Sequence, residues 1–340
     1  MITVAEGTDV VDATARLLAD GIGDGLPVVP PTPSRVEAML GDTADPDTAL
    51  GAVPPLFGEL TPRVAAYGCV LAGAPVAALP VVLAAARACL APEVNLLGVA
   101  TTTGTAAVAL VVAGPVVERI GLTHGTGMLG PGPHTNGAVG RALALTLAVA
   151  GGARPGTTSM ATTAQPARYT CCLAEDPSAP WDTLVGRRVS EVALQTMSVR
   201  DGTSLTPGAA PDAVTVLPIG GVGEVLPRDD RPDPDAVLDA LADALAGAVL
   251  AAGDPARGAE LTQAVVLPPE VAARVASTST ADDLVRALHT RGGDALSVRA
   301  GCEDPVVAAE IVPIVAGGPG VKMLHLPGWM GGSRAVTARL

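Results

Sequence analysis

Aromatic side chains make up only 1% of the 340 residues, so a core of this size has to be assembled from Ala, Val and Leu in close contact. Side chains that small favour helices lying tightly on sheets. Basic residues are also scarce: 21 stand against 34 acidic ones, the formal net charge is −13, and Lys322 is the only lysine. With no basic patch and no interleaved aromatics, the chain lacks the electrostatic footprint of a nucleic-acid binder, which excludes DNA and RNA as partners. The five cysteines, Cys69, Cys89, Cys171, Cys172 and Cys302, are odd in number and irregular in spacing, which argues against a disulfide framework. Nothing at the start resembles a charged region followed by an apolar leader, so the expectation is a reduced, cytoplasmic protein. One uncharged run, Val64 to Ala86, is long enough for a bilayer. Its Ala and Gly content, with Pro75 and Pro80, reads instead as two short buried helices with a break, and no membrane contact is expected.

The length allows one large or two medium domains. The pattern predicts a mixed class between α/β and α+β, with alanine-rich helices packed on apolar strands. Two lobes are expected, residues 1–206 and 207–340. In the first, Thr8 is a cap candidate for a helix to Asp20, LPVVP reads as a short strand, and Thr32-Pro33 and Thr61-Pro62 are cap-plus-proline helix starts. NLLGVATTTGTAAVALVVAGP reads as two strands around a Thr/Gly turn, and RYTCCLA as a strand with Cys171 and Cys172 on opposite faces. Beyond Pro207, TVLPIGG, LTQAVVLP and EIVPIVAGG read as strands. Helices are expected over 233–252, 269–276 and 281–289, and a strand–turn–strand hairpin near the C-terminus.

Between Gly121 and Gly140 lies GLTHGTGMLGPGPHTNGAVG, a run so rich in glycine that it implies tight turns or close approach of backbone to another group. Asn136 can cap a helix from Gly137 to about Ala150, whose start would favour an anion, with Arg141 one turn in. The bland alternative is a loop packed on the core. His134, at that helix start, should act as a neutral base, donor or metal ligand, and His124 could join it on a metal if the loop folds back. In CCLAEDPSAPW, a pocket-facing Cys172 with Glu175 and a histidine from another loop has the parts of a nucleophile, an orienting carboxylate and a base. The competing reading is an inert apolar cysteine in a strand. Asp24 in GDGLP either binds substrate or hydrogen-bonds its own turn.

Three motifs, DGLPVVPPTPSRVEAML, GPGPHTNGAVGRAL and CLAEDPSAPW, resemble in content and order a poorly characterised bacterial family that accompanies short UGSC-type proteins carrying selenocysteine or cysteine. The matching stretches are Asp24–Pro27, Pro30–Leu40, Gly130–Ala142 and Cys172–Trp181, within roughly the first two hundred residues. The resemblance implies small-molecule metabolism and a thiol or selenol redox partner protein. The chain departs from the pattern where relatives tend to carry a second glutamate after the Ala-Glu pair and a histidine soon after the tryptophan: here Asp176 precedes Pro177, and Trp181 precedes Asp182-Thr183-Leu184.

The expectation drawn from these residues is an enzyme performing thiol-assisted bond cleavage or reduction on a small anionic substrate. His134, Cys172 and Glu175 are the catalytic candidates, and Asp24, Asn136, Arg141 and Trp181 the substrate-binding ones. Two alternatives stand beside it: a metal-dependent lyase or hydrolase using His134 and Glu175 with His124 or Cys172, and a non-catalytic subunit of a redox or biosynthetic complex. The sequence assigns no cofactor and no metal. A homodimer is expected from the apolar, glycine-rich composition. Every enzymatic version requires His134, Cys172, Glu175 and Asp24 to meet around one hollow.

Overall fold

Helix starts follow the local chemistry of the chain. The computed structural model describes residues 1–182, 184, 187, 188 and 211–340. Helix α1 (Val10–Ala19) is capped by the Asp9 carboxylate, which accepts from the Val11 and Asp12 amides, so the cap lies one residue after the expected Thr8. Thr32 and Thr61 cap α2 (Pro33–Leu40) and α3 (Pro62–Ala72), each followed by proline at the first helical position as the sequence implies. Between α2 and α3 lies a short hairpin, β1 (Gly51–Val53) with β2 (Gly58–Leu60). The break expected in the uncharged run is present: α3 ends at left-handed Gly73, Pro75 follows, and α4 covers Leu79–Ala88. Among the described residues no single helix is long and apolar enough to cross a membrane; one pair, Val76–Ala88 with Pro92–Thr101, passes only jointly and is bent by 78°.

Two local expectations are corrected. LPVVP is not a strand, because Pro27, Pro30 and Pro31 bring no amide hydrogen to a ladder. NLLGVAT forms helix α5 (Leu96–Thr101), with the Asn95 side chain accepting from the Gly98 amide, so the capping residue outweighs the apolar run. The strand begins later, as β3 (Ala107–Ala113), and is followed by α6 (Val116–Arg119) and the long α7 (His134–Gly151).

The strands β4 (Cys172–Ala174), β5 (Ala213–Ile219), β6 (Gly223–Val225), β7 (Thr262–Leu267), β8 (Glu310–Val315), β9 (Met323–Leu326) and β10 (Val336–Arg339) complete two four-stranded sheets. One has the order β10-β5-β3-β4 and the other β6-β9-β7-β8. Each has one parallel pair, β3/β4 and β7/β8, and is otherwise antiparallel. This is a mixed α/β architecture. The C-terminal hairpin is corrected: β8 and β9 lie on either side of β7 and do not pair with each other.

The sheets pack face to face. Ala109, Val111, Leu217 and Ile219 of one meet Ala264, Val266, Val312 and Ile314 of the other in a shared core. The outer face of the first sheet, with Leu110, Val112, Val214 and Val216, is covered by α4 and α7, with α3 packed on both of them and α2 on α3. That of the second, with Val265, Leu267, Ile311 and Val315, is covered by α8 (Pro234–Ala251), α9 (Pro269–Ala276) and α10 (Ala281–Ala300). The result is four layers: helices, sheet, sheet, helices. Helix α10 runs past the expected His289, because Gly292 and Gly293 give it the flat side it needs against Val307 and Pro305.

The boundary expected at 206/207 falls outside the described residues. The segment after it gives β5 and β10 to the first sheet, so the two halves of the chain share that sheet and the core between the sheets. A bridge between Ile219 and Gly328 ties the sheets at one margin, and the Asp176 amide donates to the Val315 carbonyl at 2.8 Å at the other.

Candidate functional site

Strand β4 settles the fate of the paired cysteines. As the period of a strand requires, they face opposite ways: Cys172 joins the helix-side core, and Cys171 the core between the sheets. Both are buried, at 2% and 5% exposure. Burial pushes the Cys171 thiol up to about 12. It pushes the Cys172 thiol further still, with a smaller contribution from Cys171. A thiol that resists ionisation is a poor nucleophile. The expectation that Cys172 faces a pocket is therefore corrected, since helix α7 lies across it. A Cβ on Gly140 of that helix would stand 3.2 Å from the Cys172 Cβ and 2.9 Å from the Cys171 nitrogen.

The other candidates are distributed along and around α7. The helix starts at His134, not at Gly137, and Pro133 occupies the cap position without a side-chain cap. His134 is exposed. Asn136 is 1% exposed and ties three segments together: its Oδ1 accepts from the Thr123 amide at 2.8 Å, and its Nδ2 donates to the Thr123 and Cys172 carbonyls at 2.8 and 3.3 Å. Its amide is thus occupied by the protein's own backbone. Glu175 is also buried, and its Oε1 accepts from the Leu184 amide at 2.9 Å. The Trp181 indole donates to the Ser279 carbonyl at 3.2 Å and packs on the second sheet's helical layer, remote in the fold from α7. Among the described residues no group of three His, Cys, Asp or Glu side chains is placed to hold a metal ion.

One expected pair does meet. Arg141 of α7 reaches Asp24 in a two-pronged contact, Nε to Oδ2 at 2.8 Å and Nη2 to Oδ1 at 2.9 Å, and also donates to the Pro27 carbonyl at 3.0 Å. Burial works to raise the Asp24 carboxyl, but the Arg141 hydrogen bonds and the Leu26 amide outweigh it and hold it below the usual range. The Arg141 fork is already committed to a carboxylate of its own chain.

Asp24 borders a cavity of about 320 Å³ that no sequence motif marks. One wall is the face of α7 carrying Leu143, Ala144, Leu147 and Ala148; another is α5 with the start of β3; the third is the 153–169 loop. The lining is largely aliphatic, with Asp24, Ser159, Gln165, Arg168 and Tyr169 as the polar exceptions, the Asp24 carboxylate being already bound to Arg141. The Arg168 guanidinium donates to the Ala106 carbonyl at 2.7 Å, the Ser159 hydroxyl at 3.0 Å and the Val99 carbonyl at 3.2 Å. These neutral partners hold it in place. Burial pulls it below its ordinary value, yet it stays cationic, and among the described residues no carboxylate pairs with it. One signal for Arg168 was legible: it is the only charged residue between Arg154 and Glu175.

No protein-family model matches the chain, and no curated protein gives a significant match. The family resemblance therefore rests on the three motifs alone.

Proposed function

We propose that this protein binds a small anion with an apolar body, such as a medium-chain or aryl carboxylate, in the cavity between α5, α7 and the 153–169 loop. The observation that carries the reading is Arg168: a half-buried guanidinium lining a largely aliphatic hollow, positioned by neutral groups and paired with no carboxylate among the described residues, the one carboxylate of the lining, Asp24, being bound to Arg141. A guanidinium has five N–H donors, so two remain for a ligand carboxylate, and a partly desolvated charge gains most from such a contact. The volume falls near the lower end of the range for small-molecule pockets, about 300–1,000 Å³. This keeps the small anionic ligand expected from the sequence. It drops the thiol-assisted step, for which the buried Cys172 offers no support.

The test is calorimetric titration of hexanoate and phenylacetate, with hexanol as the uncharged control. The reading expects the carboxylates to bind in preference to the alcohol. Arg168→Gln should weaken them by about 10- to 100-fold, the value of one charge-assisted contact of about 1.5–3 kcal/mol. Because Arg168 also holds three neighbouring groups, a second variant, Ala144→Leu, fills the cavity from the opposite wall and should abolish binding with the arginine intact. Carboxylate binding that survives both changes would refute the proposal.

A further inference from the structure

At the other end of the parallel strand pair β3/β4, a second group of residues is drawn together that the cavity does not involve. Asp176 leaves β4 just past its carboxyl end and is 5% exposed. Its amide is bound to Val315 at the end of β8. Its Oδ1 accepts from both the amide and the hydroxyl of Ser178, at 2.8 and 2.6 Å. The other oxygen, Oδ2, lies 3.5 Å from Nδ1 of His124. The His124 backbone is fixed too: its carbonyl accepts from the Gly317 amide at 2.7 Å, and Asn136 holds the neighbouring Thr123 on both sides. Three turns, after β4, after β8 and ahead of α7, therefore meet at His124, the first beside its ring and the second on its backbone carbonyl.

The ring is asymmetrically placed. Its Nδ1 is out of contact with solvent and makes no hydrogen bond among the described residues, whereas the side chain as a whole is 38% exposed. The exposed part of the side chain therefore lies away from Nδ1. A buried nitrogen facing a carboxylate is satisfied only as N–H, and the 3.5 Å separation closes with a small ring rotation of the kind that tightens catalytic contacts when a ligand arrives. Holding Nδ1 protonated leaves the lone pair on Nε2. Ser178 secures Asp176 by binding the oxygen that His124 does not face.

The geometry points to His124, positioned by Asp176, as a general base for a small protic substrate, either water or a hydroxyl compound. In the step it serves, the O–H bond breaks, its proton passes to Nε2, and its electron pair stays on the oxygen. The imidazolium that results lies against the Asp176 carboxylate until it gives the proton up to water. Asp176 is a positioning residue in this scheme. The site is separate from the Arg168 cavity, which opens near the start of β3, and stands or falls independently of it.

The test reads the tautomer directly. Long-range 15N–1H correlation spectra of uniformly 15N-labelled full-length protein near pH 8, with His124→Gln used to assign the signals, should show His124 with a protonated Nδ1 and a lone-pair Nε2. Asp176→Asn should lose that preference. Diethyl pyrocarbonate, which acylates an exposed imidazole lone pair, should modify His124 well before the buried His325. A protonated Nε2 in the wild type, or the same tautomer in a folded Asp176→Asn variant, would overturn the assignment. Should Asp176→Asn fail to fold, the wild-type spectrum and the order of acylation decide alone.

Discussion

His325 provides a measure of how dry the second sheet is. It lies on β9, 6% exposed, with Nε2 2.7 Å from Oε1 of Gln263 on the neighbouring β7. Gln263 cannot turn round, because its Nε2 donates to the Leu245 and Val307 carbonyls. Its oxygen is the acceptor, so His325 is the neutral Nε2–H form. Burial lowers the imidazole from 6.5 to about 4. The folded state therefore resists a proton that the unfolded chain takes up near pH 6.5, and the stability from neutral His325 is present above that pH and lost as pH falls toward 4. At about 1.36 kcal/mol per unit, the loss amounts to roughly 2 kcal/mol by pH 5 and about 3 kcal/mol by pH 4. Carboxylates titrate in the same window, so the contribution has to be read as a difference. Urea unfolding of the wild type and of His325→Gln, which keeps a donor toward Gln263, should give curves of stability against pH that separate by that amount between pH 7 and 4. Parallel curves would show that the site is wet or that His325 is charged in the fold, and would refute the reasoning.

Further expectations follow from the contacts around α7. Gly140→Ala places a Cβ 2.4 Å from the Thr170 hydroxyl and 2.9 Å from the Cys171 nitrogen. The helix must then move off β4, and chemical denaturation should show a loss of about 1–3 kcal/mol, as for other overpacked sites; an unchanged midpoint would mean that the helix does not dock there. With four thiols buried and Cys302 half-buried, Ellman's reagent should titrate one thiol promptly in the native protein and all five after unfolding; rapid reaction of two or more native thiols would contradict the burial of Cys171 and Cys172. Cys172→Ala should leave ligand binding in the Arg168 cavity unchanged, by the same calorimetric titration, even though it reduces stability. A binding defect would return the thiol to the site.

The parts of this structure that could be read from the sequence are those with local causes. Thr32-Pro33 and Thr61-Pro62 mark helix starts because a hydroxyl and a missing amide hydrogen act within one turn. The opposed faces of Cys171 and Cys172 follow from the period of a strand. What covers each face does not, and the pocket expected at Cys172 is occupied by α7, which arrives from more than twenty residues away. Asn136 has the composition of a cap, yet its side chain turns back to Thr123, a choice that depends on how the 121–133 loop returns. LPVVP had the apolar content of a strand without the donors of one. Of the four groups required to converge, Asp24 borders the cavity, Cys172 lies in the core beneath α7, His134 is exposed and Glu175 is buried past the end of β4. The charged group that does line the hollow, Arg168, sat in a loop with no recognisable motif; only its isolation among Thr, Ala and Pro singled it out.

The most direct test of the ligand site is a crystal structure of the protein grown with 6-bromohexanoate, in which anomalous scattering locates the bromine without reference to any model of the ligand. The account predicts a peak among Leu143, Ala144 and Leu147, with the carboxylate on the Arg168 guanidinium. A bromine peak elsewhere, or an empty hollow at a saturating concentration, would contradict it.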